Sequence, residues 1–520
     1  MSARVAGWVR ARRGIVLLVV ALAALTQLPL PFWGDQALFT YAAHGMRHGD
    51  RLYVDIWDYK QPGIFLWYEA AGALFGFHEA GIHLAELLWW VGLAAVTQRV
   101  MRDRVAHEWV GTIAPLFTAG AFFAAARAWD FGQIEDLVAL PLLLSLWFAA
   151  AAGAQAPGSR PRATRLLLSG LMAAVVVGFK LVYGLIPIAF WLYLLIGWRR
   201  DEPRASRSLR RDAALLGTGL VVPLLPLLLY FVHEGLLGTM WWTYITYPPH
   251  VVRTISPPPF SRLRDGVSNF VRAFAWLVPF ASVGLSTLRS RATRRRDPLV
   301  VGLVIWIVVG WFTVLVQNQW GYQFMLLVVP LGLLAAYGVD RLCREWRRGR
   351  AHNAISVLLV IAVALALMPA RLAVHKVRLL ASDDFTLGAT GRHDFEAAFE
   401  PYYPDARAAA AWVDDPARTP GPIHVEGNPL IQYLSNRPFA LREHGWAPEQ
   451  SDARLWRWTR AGLRDDRPVY VFVDDFSRDI MRERSPQTLA LIGRLYCKVQ
   501  PIGDGAWYAL RSGGECRARR

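Results

Sequence analysis

The residues best placed to do chemistry begin at Asp35, in Trp33-Gly34-Asp35-Gln36, directly after the first long apolar run. A carboxylate at the edge of a bilayer is costly unless it is paired, hydrated or used; the same residue type also suits a helix N-cap. Further on comes Leu52-Tyr53-Val54-Asp55-Ile56-Trp57-Asp58-Tyr59-Lys60-Gln61-Pro62-Gly63. The chain carries 57 Lys and Arg, yet Lys60, Lys180, Lys376 and Lys498 are its only lysines, so each position asks for a reason. Lysine is a compact point charge and a common phosphate binder. Lys180 sits between two apolar runs, in Gly178-Phe179-Lys180-Leu181-Val182-Tyr183. Facing lipid it would cost about 2.5–3.5 kcal/mol, so it faces a polar cavity or snorkels outward. Glu135 and Asp136 open a further apolar helix, where the helix dipole alone favours carboxylates. The amide-rich turn Gln317-Asn318-Gln319-Trp320-Gly321-Tyr322-Gln323-Phe324 either lines a cavity or satisfies exposed backbone.

These residues need elements to hold them. The chain has 520 residues, 54% of them hydrophobic. About eleven apolar runs reach or approach the ~20 residues that cross a bilayer. They centre on 14–33, 80–99, 109–126, 134–153, 166–179, 182–198, 213–232, 272–289, 298–316, 322–339 and 353–372. The net charge of +17 could signal nucleic acid, but the arginines are placed otherwise. They cluster at Arg4–Arg13, Arg160–Arg165, Arg199–Arg211, Arg291–Arg296 and Arg341–Arg350, always in alternate loops. That is the positive-inside pattern. It excludes a nucleic-acid partner, makes the lipid bilayer one, and puts the N-terminus in the cytoplasm of an inner (plasma) membrane protein. All the candidate residues then fall on the outer side.

Residues 1–373 therefore read as a membrane body with two long outward loops, 34–78 and 233–269, and residues 374–520 as an extracytoplasmic α/β domain. Within the first loop Leu38, Tyr41, Ala42 and Met46 share a face, which suits an amphipathic helix on the membrane surface. The second loop holds Trp241, Trp242, Tyr244, Tyr247 and Pro257–Pro259. Its aromatics fit the membrane interface or the wall of a sugar or lipid site. In the tail, strands are expected at Ile423–Glu426, Val469–Val473 and Ala506–Leu510, with helices at Ala408–Val413, Leu430–Leu434 and Leu489–Leu495. Cys343 should be a free thiol; Cys497 and Cys516 lie in the outward tail, where pairing is left open.

On Asp35 and the run from Gly49-Asp50-Arg51-Leu52-Tyr53 to Lys60-Gln61-Pro62, the chain resembles the polytopic glycosyltransferases of the GT-C fold. The bacterial protein mannosyltransferases and aminoarabinose transferases of family 39 type are the nearest in pattern. Weaker echoes are Glu135, Lys180 and the Tyr322–Pro330 stretch. The resemblance implies inverting transfer of a sugar from a polyprenyl-phosphate-linked donor to a hydroxyl acceptor on a glycan, lipid or protein. Asp35 would be the general base. Glu135, Asp136 or Asp58 would place the acceptor or steady Asp35. Lys60 and Lys180 would hold the departing phosphate. Tyr41, Tyr53, Trp57, Tyr322 and Gln323 would line the cavity. No resident cofactor is implied, although Asp58 with His233 or His250 could meet at a divalent metal; no local metal-ligand spacing is present. Gln36 and Gln61 depart from the family pattern, which bears on the acceptor.

Two rival functions fit parts of the sequence. A transporter or flippase of a lipid-linked sugar would share the spans and outward charges, but transporters place charges near the midplane and show repeated halves. A non-catalytic envelope scaffold would use the tail alone.

Overall fold

Apolar runs in a bilayer can satisfy their backbone only as helices, and a computed structural model shows how far that rule carries here. It describes residues 3–201, 206–254, 259–289, 297–349, 352–381, 388–446, 450–512 and 516; the arginine run 291–296, Arg350, Pro257 and Pro258 lie outside these. Among the described residues nine helices are long and apolar enough to cross a membrane, from Glu79–Arg102 to His352–Leu380. A tenth is added if Phe260–Phe274 and Leu277–Leu285, bent by 88°, form one broken span. Ten of the eleven expected runs coincide with these helices. The first differs: instead of 14–33, the helix is Ala3–Leu25, and turns take over before Trp33. Val360, Val363 and Leu229 are each at least three-fifths exposed, which suits side chains facing lipid. The chain is a polytopic α-helical membrane protein with a small C-terminal sheet.

The chain divides into two compact units. The first comprises residues 1–28, 83–229 and 258–381 and holds the bulk of the apolar helices. Its helices meet through small residues: a Cβ on Gly338 would sit against the Phe280 carbonyl, and one on Gly284 against that of Leu334. Such crossings are how membrane helices pack when lipid supplies no hydrophobic drive.

The second unit comprises residues 29–82, 230–257 and 382–520, so the 34–78 segment and residues 233–257 fold with the tail, while 258–269 belong to the first unit. Four strands form its sheet: β1 (Ile423–Glu426), β2 (Tyr470–Asp474), β3 (Tyr496–Ile502) and β4 (Gly505–Leu510), ordered β1-β2-β4-β3. β1 pairs parallel with β2, and Val425 lies opposite Phe472; the other two pairings are antiparallel. β1 and β2 are buried at every residue, as a strand covered on both faces must be. Trp456, Leu463, Val471, Val473, Leu491, Ile492 and Tyr496 fill a core beside it. Cys497 and Cys516 are disulfide-bonded, with Cα atoms 6.0 Å apart; Cys343 is a free thiol.

Two local expectations are corrected. The helix Gly34–Arg47 is not a half-exposed surface helix: Asp35 through Thr40, Ala42 and Ala43 are all buried, because Pro62–Phe75 and Leu430–Leu434 pack on it. The 233–269 loop is largely helical, in Leu237–Trp241, Tyr247–Thr254 and the start of Pro259–Phe274.

Candidate active site

Within the second unit, the helix carrying Asp35 starts at Trp33, whose N–H donates to Gln36 Oε1 at 2.8 Å. Asp35 is thus a first-turn residue rather than the N-cap, where the helix dipole favours its charge. Gly34 is required there: a Cβ would lie 2.7 Å from the Trp446 ring and 3.2 Å from Asn428 Oδ1.

The 51–60 segment is pinned before it delivers its side chains. Tyr53 adopts φ +67°, and its hydroxyl donates to Lys60 O at 2.7 Å. Trp57 N–H donates to Arg442 O at 2.7 Å, and the Arg442 guanidinium donates back to Tyr53 O. The Trp57 indole N–H reaches Thr243 Oγ1 at 3.2 Å, within a cluster with Trp242, Tyr247 and Trp458. Trp242, Tyr247, Tyr53 and Trp57 are all buried, whereas Trp241 is exposed.

Asp58 Oδ1 accepts the Lys60 N–H at 2.7 Å, a tight turn that ends at Pro62, the first residue of the next helix. The Lys60 ammonium then lies 3.1 Å from Asp35 Oδ1 and 3.5 Å from Asp58 Oδ2, above the Tyr59 and Phe39 rings. Asp35 is 6% exposed, Lys60 8% and Asp58 fully buried. Burial alone would raise the Asp58 carboxyl, but the Lys60 ammonium, His444 and the Lys60 N–H together hold it at about 2. Asp58 stays ionised, and one ammonium serves two buried carboxylates.

His444 completes the group, with Nε2 3.2 Å from Asp58 Oδ2. The histidine at Asp58 is thus neither His233 nor His250; His250 bonds instead to Ser451 O, and His233 is exposed. Sequence reading missed His444 because it comes from the tail and no local spacing ties it to Asp58. Among the described residues no group of three or more His, Cys, Asp or Glu is arranged to hold a metal ion.

Comparisons of fold bear on this geometry. ArnT from Cupriavidus metallidurans bound to undecaprenyl phosphate superposes with a TM-score of 0.59 and 17% identity, over 98% of both chains. The oligosaccharyltransferase AglB from Archaeoglobus fulgidus, in complex with an inhibitory peptide and a dolichol-phosphate, gives 0.53 and 13%, over 98% of this chain and 75% of that one. The chain has the GT-C fold. No protein-family model matches it, and no curated protein matches it by sequence.

The first unit of this GT-C fold carries Glu135, Asp136, Lys180 and the amide-rich turn. Glu135 Oε1 accepts from Lys180 Nζ at 2.7 Å and from the Tyr183 hydroxyl at 2.6 Å. Lys180 can do so because the chain is extended between Arg160–Phe179 and the short helix Leu181–Gly184. It neither snorkels nor faces lipid. Asp136, one residue on, lies beside Glu86 instead, so the two acids that compete in the sequence have different surroundings. In the amide-rich turn, Gln323 Oε1 caps the Trp320 N–H, and Gln317 and Gln319 donate to Thr313 O and Leu315 O. Those three amides satisfy backbone; Tyr322 beside them is half-buried.

Tyr41 does line a cavity, of about 810 Å³, together with His44, Asp50, Asn436, Phe439 and Arg442, all in the second unit. Its ring packs on Phe439 at 4.2 Å, and burial, then Asp50, push its phenol well above the usual range. It is a neutral hydroxyl at any working pH.

Proposed function

We propose that this protein is a membrane glycosyltransferase that moves a sugar from a polyprenyl-phosphate-linked donor to a hydroxyl acceptor on the outer face of an inner (plasma) membrane. The observation that carries this reading is the buried Asp35–Lys60–Asp58–His444 group in a GT-C fold. The full-length likeness to ArnT, whose structure holds undecaprenyl phosphate, supports the donor class.

Asp35 takes the acceptor's hydroxyl proton as that oxygen attacks the anomeric carbon. The bond from that carbon to the phosphate oxygen breaks, and polyprenyl phosphate leaves with the electron pair. Attack opposite the leaving group inverts the centre. An ammonium at 3.1 Å favours the charged carboxylate, the state a base must start in. Once Asp35 is protonated, its hold on Lys60 weakens, and the ammonium can follow the charge onto the departing phosphate. Asp58 and His444 fix Lys60 for that step. Within the first unit, Glu135 orients Lys180 together with Tyr183, and Glu135 is preferred to Asp136 as the second acid.

The outward placement of the second unit is supported by the arginine alternation and by the Cys497–Cys516 disulfide, a bond of oxidising compartments. The test is release of polyprenyl phosphate from a synthetic polyprenyl-phosphate sugar by the purified protein in liposomes, read by mass spectrometry with a hydroxyl acceptor present. Stoichiometric release with sugar on the acceptor is the expected result. Movement of intact donor across the bilayer without release would mark a flippase.

A further inference from the structure

The first unit holds a larger cavity, of about 1310 Å³, that the transfer reaction does not use. Its wall gathers one end of several helices. Arg99 comes from the last turn of Glu79–Arg102 and Arg200 from the last turn of Leu185–Asp201. Trp147 lies in Ala139–Ala152, Arg162 and Arg165 open Arg160–Phe179, and Asp297 caps Pro298–Leu315.

The charge on this wall is unbalanced. Five arginines line it (Arg99, Arg104, Arg162, Arg165, Arg200) against Asp103 and Asp297. Arg99 pairs with Asp103 at 2.8 Å, Arg104 with Asp297 at 3.5 Å, and Arg162 with Asp212 at 2.6 Å. Arg165 donates to Ala151 O, the carbonyl of a helix end. Among the described residues neither Arg165 nor Arg200 has a carboxylate partner. Arg162 stacks over Trp198 at 4.2 Å and Arg99 over Trp147 at 5.8 Å. Stacking holds both guanidiniums by their faces while their edges serve Asp212 and Asp103, which leaves Arg165 and Arg200 for an anion. Tyr193, Leu194, Ile196 and Phe148 give the wall its larger apolar side chains.

An arginine cluster at one end of membrane helices, rimmed by Trp and Tyr and continued by apolar side chains, matches an amphiphile rather than a small ion. We infer that this cavity binds the phosphate headgroup of an anionic phospholipid, its acyl chains running along the apolar wall. No residue of the Asp35 group lines it, and the inference goes beyond the transfer reaction. Arg165 and Arg200 are its binding side chains; Arg162, committed to Asp212, frames it.

The experiment uses the full chain, purified in detergent and exchanged into vesicles of phosphatidylcholine alone or of phosphatidylcholine with an equal part of phosphatidylglycerol. Native mass spectrometry counts retained phosphatidylglycerol, and thermal melting reads its effect. The expected result is retained phosphatidylglycerol and a higher Tm in the mixed vesicles. The double variant Arg165→Gln, Arg200→Gln should weaken retention by about tenfold. A control, Arg347→Gln with Arg348→Gln, removes the same charge elsewhere and should retain it. Equal retention by the double variant would overturn the inference, as would a wild-type protein that holds no phosphatidylglycerol. Inorganic phosphate distinguishes the source: if phosphate alone reproduces the Tm rise in phosphatidylcholine, the site is a free-phosphate site and the lipid assignment fails. If the double variant does not fold, the wild-type arms decide alone.

Discussion

Replacing Lys60 by methionine keeps the length of the side chain and removes the ammonium that Asp35 and Asp58 share. Two carboxylates, one 6% exposed and the other fully buried, would then lose the ammonium between them. At the observed 3.1 and 3.5 Å each lost attraction is worth about 1 kcal/mol in water and about 5 kcal/mol at the effective dielectric of a protein. Breaking a buried pair by removing one partner costs about 3–5 kcal/mol, within the same range. The variant can avoid much of that cost by taking up a proton on folding. A group that binds a proton only in the folded state makes stability rise as pH falls. Lys60→Met should therefore melt several degrees below wild type at pH 8, and the gap should narrow by pH 5. Differential scanning fluorimetry in detergent reads it, with Lys60→Arg as the charge-retaining control. A gap of equal size at both pH values would refute the shared-cation reading, because it would mean that only packing was lost.

Other expectations follow from single contacts. Burial lifts the Glu400 carboxyl to about 7 even though it accepts the Tyr402 N–H at 3.1 Å. Between the ordinary carboxylate range and pH 7 the folded state alone keeps that proton, so stability falls as pH rises through this window. Glu400→Gln should gain roughly 1–3 kcal/mol over wild type at pH 8 and nothing at pH 4, as pH-dependent melting would show. Replacing Cys497 and Cys516 by serine opens a loop with a sequence separation of 19, which should cost the tail about 3 kcal/mol and quicken its proteolysis. Gly34→Ala pushes a methyl into the Trp446 ring, a cost of about 1–3 kcal/mol. Because Trp446 N–H donates to His444 Nδ1 at 3.2 Å, that shift should also lower transfer, read beside tryptophan fluorescence.

The sequence showed more of the body than of the site. Ten spans were legible because a bilayer demands long apolar helices, which arginine clusters then bracket. The first was misplaced because Leu28–Phe32 continue the apolar run while the chain there leaves the helix in a turn. In the tail, β1 was read to the residue and the helix at Leu430 was read at its start, though it ends by Leu434, since a short apolar run before Gly427-Asn428-Pro429 leaves little freedom. β3 was not read: it alternates polar and apolar residues and contains Pro501, which an edge strand tolerates. The arginine-rich helix Ala453–Asp465 was also passed over, although Leu455, Trp456, Thr459 and Leu463 bury one face of it. Lys60 stood out by rarity and Asp35 by its position after a span. His444 had no such signal, because only the fold carries a tail residue to a loop near the N-terminus.

The most direct measurement is sugar transfer by Asp35→Asn in liposomes supplied with a polyprenyl-phosphate sugar and a hydroxyl acceptor. Asparagine keeps the shape of the first helical turn and cannot accept the proton. A loss of about 10²–10⁴-fold in kcat, with Tm no higher than a few degrees from wild type and donor still bound, is the predicted result. Transfer at the wild-type rate would contradict the assignment of Asp35 as the base.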